Sequence, residues 1–344
     1  MNKFKNIKLF KNNQKEIPIF FATDDNYVPF LEITLRSIIA NASKKYKYVI
    51  NVLNTGLNPD RVEKVMRLEN ENFKINFCDL TEYVEPIKNK LKNVYHFSLV
   101  TWYRLFIESL FPQYDKALYL DCDIIVLGDI SKLYNTQLGN NLLGAVKCHI
   151  VSEHPIFSQY ARVFCGVDPE KYFNAGILVM NLKEFRKSKI EDKFVYLINK
   201  YNFDVIDPDQ GYLNALCRNR VKLLPNGWNK ESIDTPLQGE LNIVHYALYK
   251  KPWQYDDVIN QEYFWQFAKE SPFYDEILTN KANFDDVKKV QKEKANIEIV
   301  EHATRVINAE KSFNNILFKH SNPLEMLNLE IGECLSNYDK KVEA

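Results

Sequence analysis

Two aspartates, Asp121 and Asp123, interrupt an otherwise apolar run, KALYLDCDIIVLGDI, at residues 116–130. Burying each as an unpaired ion is costly, so their presence there asks for a partner. Residues two apart in an extended chain project to the same side, so both carboxylates can approach one cation. Oxygen ligands suit Mg²⁺ or Mn²⁺, and neither ion needs an all-protein cage when a substrate diphosphate supplies further oxygens. A D-x-D pair is a weak signal alone, because it also builds turns and helix caps. Asp207-Pro208-Asp209 repeats the pattern in a loop-like setting. The apolar flanks on both sides favour the first pair as a ligand site.

The elements that would hold this pair are legible in the periodicity. Residues 17–24, IPIFFATD, predict a strand, and Val28, Leu31, Leu35, Ile38 and Ala42 follow at helical spacing. Residues 48–55 predict a second strand, Asn58-Pro59 opens a helix with Asn as cap, and residues 73–80 predict a third strand. Residues 99–111 read as helix and 116–127 as the next strand. This alternation predicts an α/β fold with a mostly parallel central sheet flanked by helices. Such sheets bind ligands at the carboxyl ends of their strands. Asp24 and Asp25 end the first strand and Asp121 and Asp123 lie late in the fourth, so acidic groups gather at that edge.

The chain of 344 residues is divided here into a basic tail (1–16), a main domain (17–275) and a helical extension (276–344). Residues 280–300 are rich in Lys, Asn, Asp and Glu and read as solvated. Asn322-Pro323 opens a further helix, with Glu325 at the capping-box position and Leu324, Leu327, Ile331 and Leu335 on one face. Lys+Arg and Asp+Glu balance at 45 each, which gives no support to a nucleic-acid binder. No apolar run approaches the roughly 18–20 residues of a membrane span. The N-terminus carries five lysines and one glutamate without the apolar centre of a signal peptide, and reads as a frayed end. Residues 281–344 hold ten basic and eleven acidic residues, 10 − 11 = −1, so that tail is no electrostatic membrane anchor. Six scattered cysteines without a CxxC pair predict reduced thiols. The expected location is cytoplasmic, with contact at the inner face of a membrane at most peripheral.

Six motifs in order carry a family resemblance over roughly residues 17–255: FATDDNY (21–27), HFSLVTWYRL (96–105), YLDCDIIV (119–126), YFNAGILVMNL (172–182), DPDQGYLN (207–214) and HYALYKKPW (245–253). Together they resemble glycosyltransferase family 8. This is the retaining GT-A-fold group that includes bacterial lipopolysaccharide galactosyl- and glucosyltransferases and glycogenin. The resemblance implies a GT-A fold for residues 17–275 and transfer of galactose or glucose from UDP-galactose or UDP-glucose to a hydroxyl of a glycan, glycolipid or glycoprotein. It implies Mn²⁺, with Mg²⁺ as the alternative, on Asp121, Asp123 and His245. It places Ala22, Asp24 and Asn26 at the uridine and ribose, Asp25 and Cys122 among the donor-binding residues, and Lys251 at the diphosphate. Arg104, Asn174, Ala175, Asp209 and Gln210 would hold the donor sugar, with Arg104, Asp209 and Gln210 as catalytic residues and His96 toward the acceptor. Gly176 reads as a backbone requirement, and Trp228 and Trp253 as packing residues. Leu248 replaces a family glycine, and Cys148 stands where relatives often carry an acid near the sugar. A degenerate UDP-sugar binder is therefore the alternative function. A sugar-nucleotide pyrophosphorylase ranks below both, because TDDNY after the first strand lacks a glycine-rich phosphate loop.

Overall fold

The apolar runs of the first eighty residues fold as their alternation requires. In this computed structural model, which describes residues 4, 7–10, 15–91, 99–247, 250–318, 327–328 and 331, β1 (Glu16–Ala22), β2 (Lys47–Asn54) and β3 (Phe73–Asp79) pair in parallel. β4 (Ala117–Leu120) joins the other side of β1, also in parallel. With β6 (Leu143–Lys147), β7 (Phe173–Met180) and β8 (Val221–Leu224) these form a seven-stranded sheet of order β3-β2-β1-β4-β7-β6-β8. β7 runs antiparallel to β4 and β6, and β8 is parallel to β6. Four of the six ladders are parallel, which makes this the mostly parallel sheet expected.

Both faces of that sheet are covered. Phe20, Leu53, Tyr119 and Leu178 pack into one buried cluster, while their neighbours Phe21, Val52, Leu118 and Val179 pack into another. That explains why these strands read as near-continuous apolar runs. The helix Val28–Asn41 covers the second face, with Leu31, Leu35 and Ile38 fully buried. Asn58 caps the helix Pro59–Met66, accepting from the Asp60 N–H at 2.9 Å.

The expected strand over 116–127 is in fact two. β4 ends at Leu120, and β5 (Ile124–Val126) leaves the main sheet for a three-stranded one, of order β5-β10-β9, with β9 (Lys230–Glu231) and β10 (Ile243–His245). The two carboxylates stand at this change of sheet, where a strand interior would have buried them.

Other expectations shift in detail. The helix over 99–111 is a 3₁₀ segment, Leu99–Phe106, that passes into one α-turn, Ile107–Leu110. Asp207-Pro208-Asp209 opens the helix Pro208–Leu216, with Pro at its first turn, and is not a loop. The stretch read as solvated forms the helix Asp286–Val306, capped by the Asp285 side chain on the Lys288 N–H. Its charged flanks face solvent, but Ala303 is fully buried, a half-stripe too short to stand out in the sequence. Of the helix expected after Asn322, only 327–328 and 331 lie within the described residues, and Leu327 and Ile331 are buried. The N-terminal segment does not read as frayed where it is described: Phe4 stacks on Phe111 at 5.2 Å, and the Lys8 N–H donates to Asn76 Oδ1 at 2.7 Å. Among the described residues five cysteines are free and buried, and no helix is long and apolar enough to cross a membrane.

Candidate active site

Between β1 and β4 the strand order reverses direction, the place where open α/β sheets leave a crevice at their carboxyl ends. A cavity of about 490 Å³ opens there, within the usual size of a small-molecule site. Ala22 reaches it from the end of β1 and Asp24 from just beyond, Asp121 and Asp123 from beyond β4, and His245 from the end of β10.

The Asp121–Asp123 turn is pinned on three sides. The Asp121 N–H donates to Gly176 O at 2.7 Å, and the Tyr246 N–H donates to Asp123 O at 3.0 Å. Beneath it the Thr34 hydroxyl lies within 2.8 Å of both Cys122 O and Ile124 O. Cys122 turns away, its thiol donating to Ala22 O at 3.3 Å. The two carboxylates share one side of this turn, although the chain between them is not the extended strand from which the spacing predicted it.

The ligand atoms of Asp121, Asp123 and His245 all lie within 4.8 Å of one another. His245 Nε2 is 3.2 Å from Asp123 Oδ1 and 3.7 Å from Asp121 Oδ2. Adjacent ligands of one octahedral ion, at about 2.1 Å each, lie about 3 Å apart. The charge of the cavity also suits a cation. Among the described lining residues are five aspartates (Asp24, Asp121, Asp123, Asp207 and Asp209) against two permanent cations, Arg104 and Lys251, so 2 − 5 = −3 when all are ionised. Two carboxylates and one imidazole are a donor set that Mn²⁺ and Mg²⁺ accept, and the imidazole favours Mn²⁺.

The tautomer of His245 follows from a chain of hydrogen bonds that starts at a backbone amide. The Gly176 N–H donates to Asn174 Oδ1 at 2.9 Å, so that atom is the acceptor. Asn229, 2.9 Å from it, must donate through Nδ2, which turns Asn229 Oδ1 toward His245 Nδ1 at 2.8 Å. Nδ1 therefore carries the proton, and Nε2 presents a lone pair to the two carboxylates. This is the arrangement that fixes a metal-ligating histidine. Asn229 was not singled out from the sequence. Replacing it with Ala is expected to weaken divalent-metal binding about 10–100-fold. Manganese titration by calorimetry checks this, beside a melting curve to show that the fold is retained.

Gly176 is a matter of space, not of backbone conformation, since its φ is not among the positive ones. A Cβ there would lie 2.4 Å from His245 Cε1 and 2.5 Å from Asp121 Oδ2.

Cations bracket the pair. Lys251 Nζ donates to Asp123 Oδ2 at 2.6 Å and to the Tyr246 carbonyl. Burial alone would raise the Asp123 carboxyl, but the Lys251 ammonium and the His245 ring outweigh it and hold it below the usual carboxylate range. Arg104 is buried over the Tyr119 ring at 4.1 Å. It donates from Nη2 to Asp121 Oδ1 at 3.0 Å, from Nε to Thr101 O at 2.9 Å and from Nη1 to Ala175 O. Arg104 Nε also lies 3.0 Å from Asp209 Oδ2, yet its proton is spent on Thr101. Asp209 Oδ2 accordingly accepts no well-aligned hydrogen bond among the described residues. Burial pushes the Asp209 carboxyl up to about 6, with Arg104 opposing, and it stays an acceptor at pH 7 and above. Gln210 is held at both ends, its Oε1 accepting from the Ala175 N–H at 2.9 Å and its Nε2 donating to Asp207 Oδ2 at 3.1 Å.

All the described site residues expected from the sequence line this cavity except two. Asp25 accepts the Asn58 N–H at 2.8 Å, away from the lining, and Asn26 does not line the cavity. His96 lies outside the described residues, as does Leu248. Trp253 stacks on Phe30 at 3.8 Å and is a packing residue. Cys148 lines the cavity, and behind it stands Glu231 on β9, a carboxylate the sequence reading passed over. Glu231 accepts from the Cys148 thiol at 3.7 Å and from the His149 N–H at 3.3 Å, and burial raises it to about 7.

Residues 18–257 match the family model described as glycosyl transferase family 8. A putative glycosyltransferase of Haemophilus influenzae is 28% identical over 66% of this chain and 67% of its own length. A lipopolysaccharide 1,2-glucosyltransferase of Escherichia coli is 25% identical over 74% of this chain and 78% of its own. Among solved structures, the galactosyltransferase LgtC in complex with donor and acceptor sugar analogues superposes with a TM-score of 0.63 at 25% identity, covering 74% of this chain and 96% of that one. The apo WbbM bifunctional glycosyltransferase superposes with a TM-score of 0.68 at 26% identity over 80% of this chain. This chain spans about half of WbbM, 53% of its length.

Proposed function

We propose, from the premise that this chain belongs to glycosyl transferase family 8 and is a GT-A-fold glycosyltransferase acting on glycans, that it is a retaining, Mn²⁺-dependent hexosyltransferase. Its donor would be UDP-galactose or UDP-glucose and its acceptor a carbohydrate hydroxyl. The observation that carries this reading is the convergence of Asp121, Asp123 and His245 beside Lys251 on the floor of one cavity. The alternative donor-binding function without transfer shares the same residues and differs only in turnover.

The residues divide by what they can touch. A divalent cation on Asp121, Asp123 and His245 would neutralise charge on the leaving diphosphate. Lys251, half committed to Asp123, supplies a fixed positive charge on the same side. Asp24 and Ala22, at the end of β1, would meet the uridine and ribose. Asp209 Oδ2, buried 3.0 Å from Arg104 Nε but without a well-aligned hydrogen bond, would accept from a sugar hydroxyl. Arg104 holds Asp121 and the Ala175 carbonyl in place while keeping Asp209 ionised. Such positioning supplies several kcal/mol of a barrier.

Retention by double displacement would need a nucleophile beneath the anomeric carbon. Gln210 is a poor one, and both ends of its amide are engaged. Front-face substitution fits better. The bond from the anomeric carbon to the phosphate oxygen breaks and its electron pair leaves with UDP. The acceptor oxygen bonds to that carbon on the same face, and its proton passes to a phosphate oxygen of UDP. A covalent glycosyl adduct trapped on Asp209 or Gln210 would overturn this route.

A screen of UDP-sugars for slow hydrolysis tests the function. UDP release is expected with Mn²⁺ and one UDP-hexose and is expected to stop with a chelator. Stabilisation by UDP with Mn²⁺ but no release would mean binding without transfer.

A further inference from the structure

The cavity changes character from one wall to another. The ends of β1, β4 and β10 and the chain just beyond them bring Asp24, Asp121, Asp123, His245 and Lys251. A second wall comes from residues 149–159 and from the helix Asp286–Val306, which lies beyond the stretch that matches the family. It presents Ile150, Val151, Phe157, Ile299 and Val300, and Ile233, just past β9, lines the same cavity. Among the described residues, these segments add only two polar side chains to the lining, His154 and Asn296.

Hydrogen bonds and packing hold this wall beside the sugar-binding residues. The helix Asp286–Val306 packs against Pro155–Gln159 and the turn Tyr160–Phe164, with Ala303 fully buried and His302 Nε2 3.0 Å from Asp204 Oδ1. The Ser158 hydroxyl lies within 3.0 Å of both Val151 O and Ser152 O, which fixes the bend that carries His154 and Phe157. Tyr160 OH then donates to Asp207 Oδ1 at 3.1 Å, and Asp207 Oδ2 accepts from Gln210 Nε2 at 3.1 Å.

Two observations point to what the wall receives. Ile150, Phe157, Ile233, Ile299 and Val300 are only half-buried, so apolar surface is left on the lining of a cavity. His154 Nδ1 is buried without a hydrogen-bond partner among the described residues, its ring against Phe157 at 4.4 Å. A nucleotide sugar, charged or hydroxylated over most of its length, covers little aliphatic surface. A sugar that carries an apolar group would cover it with that group and offer a hydroxyl to the imidazole.

We infer that this wall is an aglycone subsite, and that the acceptor is a saccharide whose accepting sugar bears an apolar group, a hydrocarbon chain or an aromatic ring. The inference rests on the transferase reading above and names a substrate class for it. It gives the helix 286–306 a part in choosing the acceptor.

The test measures binding of octyl, phenyl and methyl β-glucosides and β-galactosides, below micelle-forming concentrations, to the full chain loaded with Mn²⁺ and UDP. For at least one sugar, the octyl or the phenyl glycoside is expected to bind at least about tenfold more tightly than the methyl glycoside. Octyl as the better ligand identifies a chain, and phenyl a ring. Ile299→Asn and the nearly isosteric Val300→Thr are each expected to cut that preference at least about threefold. Ile299→Leu is expected to keep it, with UDP affinity within about twofold of wild type in all three variants. A preference below tenfold for every sugar, or one that persists unchanged in both Ile299→Asn and Val300→Thr, would overturn the inference while the transferase reading stands. Loss of UDP affinity in step with the apolar preference would also overturn it, since the wall would then serve the nucleotide or the fold. A wild-type chain that binds no UDP with Mn²⁺ would overturn both readings.

Discussion

Asp123→Asn is expected to lower sugar transfer on the order of 10³-fold and to abolish measurable manganese binding while the chain stays folded. Asp123 faces both the candidate ligand cluster and Lys251. Its Oδ1 lies 3.2 Å from His245 Nε2 and its Oδ2 2.6 Å from Lys251 Nζ. The amide keeps the shape and one acceptor for Lys251, so packing survives, but the negative charge that draws a divalent ion is gone. Asp123→Ala is expected to behave differently. Lys251 is only 4% exposed, and removing its carboxylate leaves a buried ammonium unpaired. Breaking such a pair costs roughly 3–5 kcal/mol. The alanine variant should therefore lose activity and several degrees of melting temperature, and the asparagine variant, which keeps a neutral acceptor for the ammonium, activity with a smaller loss of melting temperature. Parallel measurements of UDP release, manganese titration and thermal unfolding separate the two. Transfer by Asp123→Asn above a tenth of the wild-type rate would show that this carboxylate is not a ligand.

The second large effect is expected from a single methyl group. Gly176→Ala would place a Cβ 2.4 Å from His245 Cε1 and 2.5 Å from Asp121 Oδ2, two of the three side chains of the candidate metal site. Neither can yield easily. His245 is buried and tied through Asn229 and Asn174, and Asp121 is held by Arg104. Overpacking of this kind costs about 1–3 kcal/mol in stability, and here the displaced atoms are the ones that would grip the ion. Metal affinity is expected to fall at least about 100-fold, more than the stability loss alone would suggest. Gly144→Ala is the control. Its Cβ would meet Leu138 Cδ2 at 3.0 Å inside the sheet, so it should cost stability without changing metal affinity. Equal metal affinity in Gly176→Ala and the wild type would mean that the cluster tolerates rearrangement.

The acidic pair was legible because a charge inside an apolar run is a local anomaly, and the first three strands because their apolar runs and turns are local patterns. What escaped was assembled across the chain. The break between Leu120 and Ile124 depends on a second sheet whose other strands are Lys230–Glu231 and Ile243–His245, too short to carry any period. Asn229 and Glu231 acquire their partners, His245 and Cys148, only through that sheet. Asp25 fits the motif as well as Asp24, yet only Asp24 lines the cavity, with its Oδ1 accepting the Asn26 and Tyr27 N–H groups, while the carboxylate of Asp25 accepts the Asn58 N–H. The 286–306 helix looked solvated because most of its faces are, and the few residues on the cavity are too sparse to register as an apolar stripe.

The most direct test is a crystal structure of the chain grown with UDP and MnCl₂, with anomalous diffraction collected at the manganese edge. One strong peak is predicted between Asp121, Asp123 and His245 Nε2, at roughly 2.0–2.3 Å from each and in contact with both phosphates. UDP bound in this cavity with no manganese at those three side chains, or manganese held elsewhere, would contradict the account.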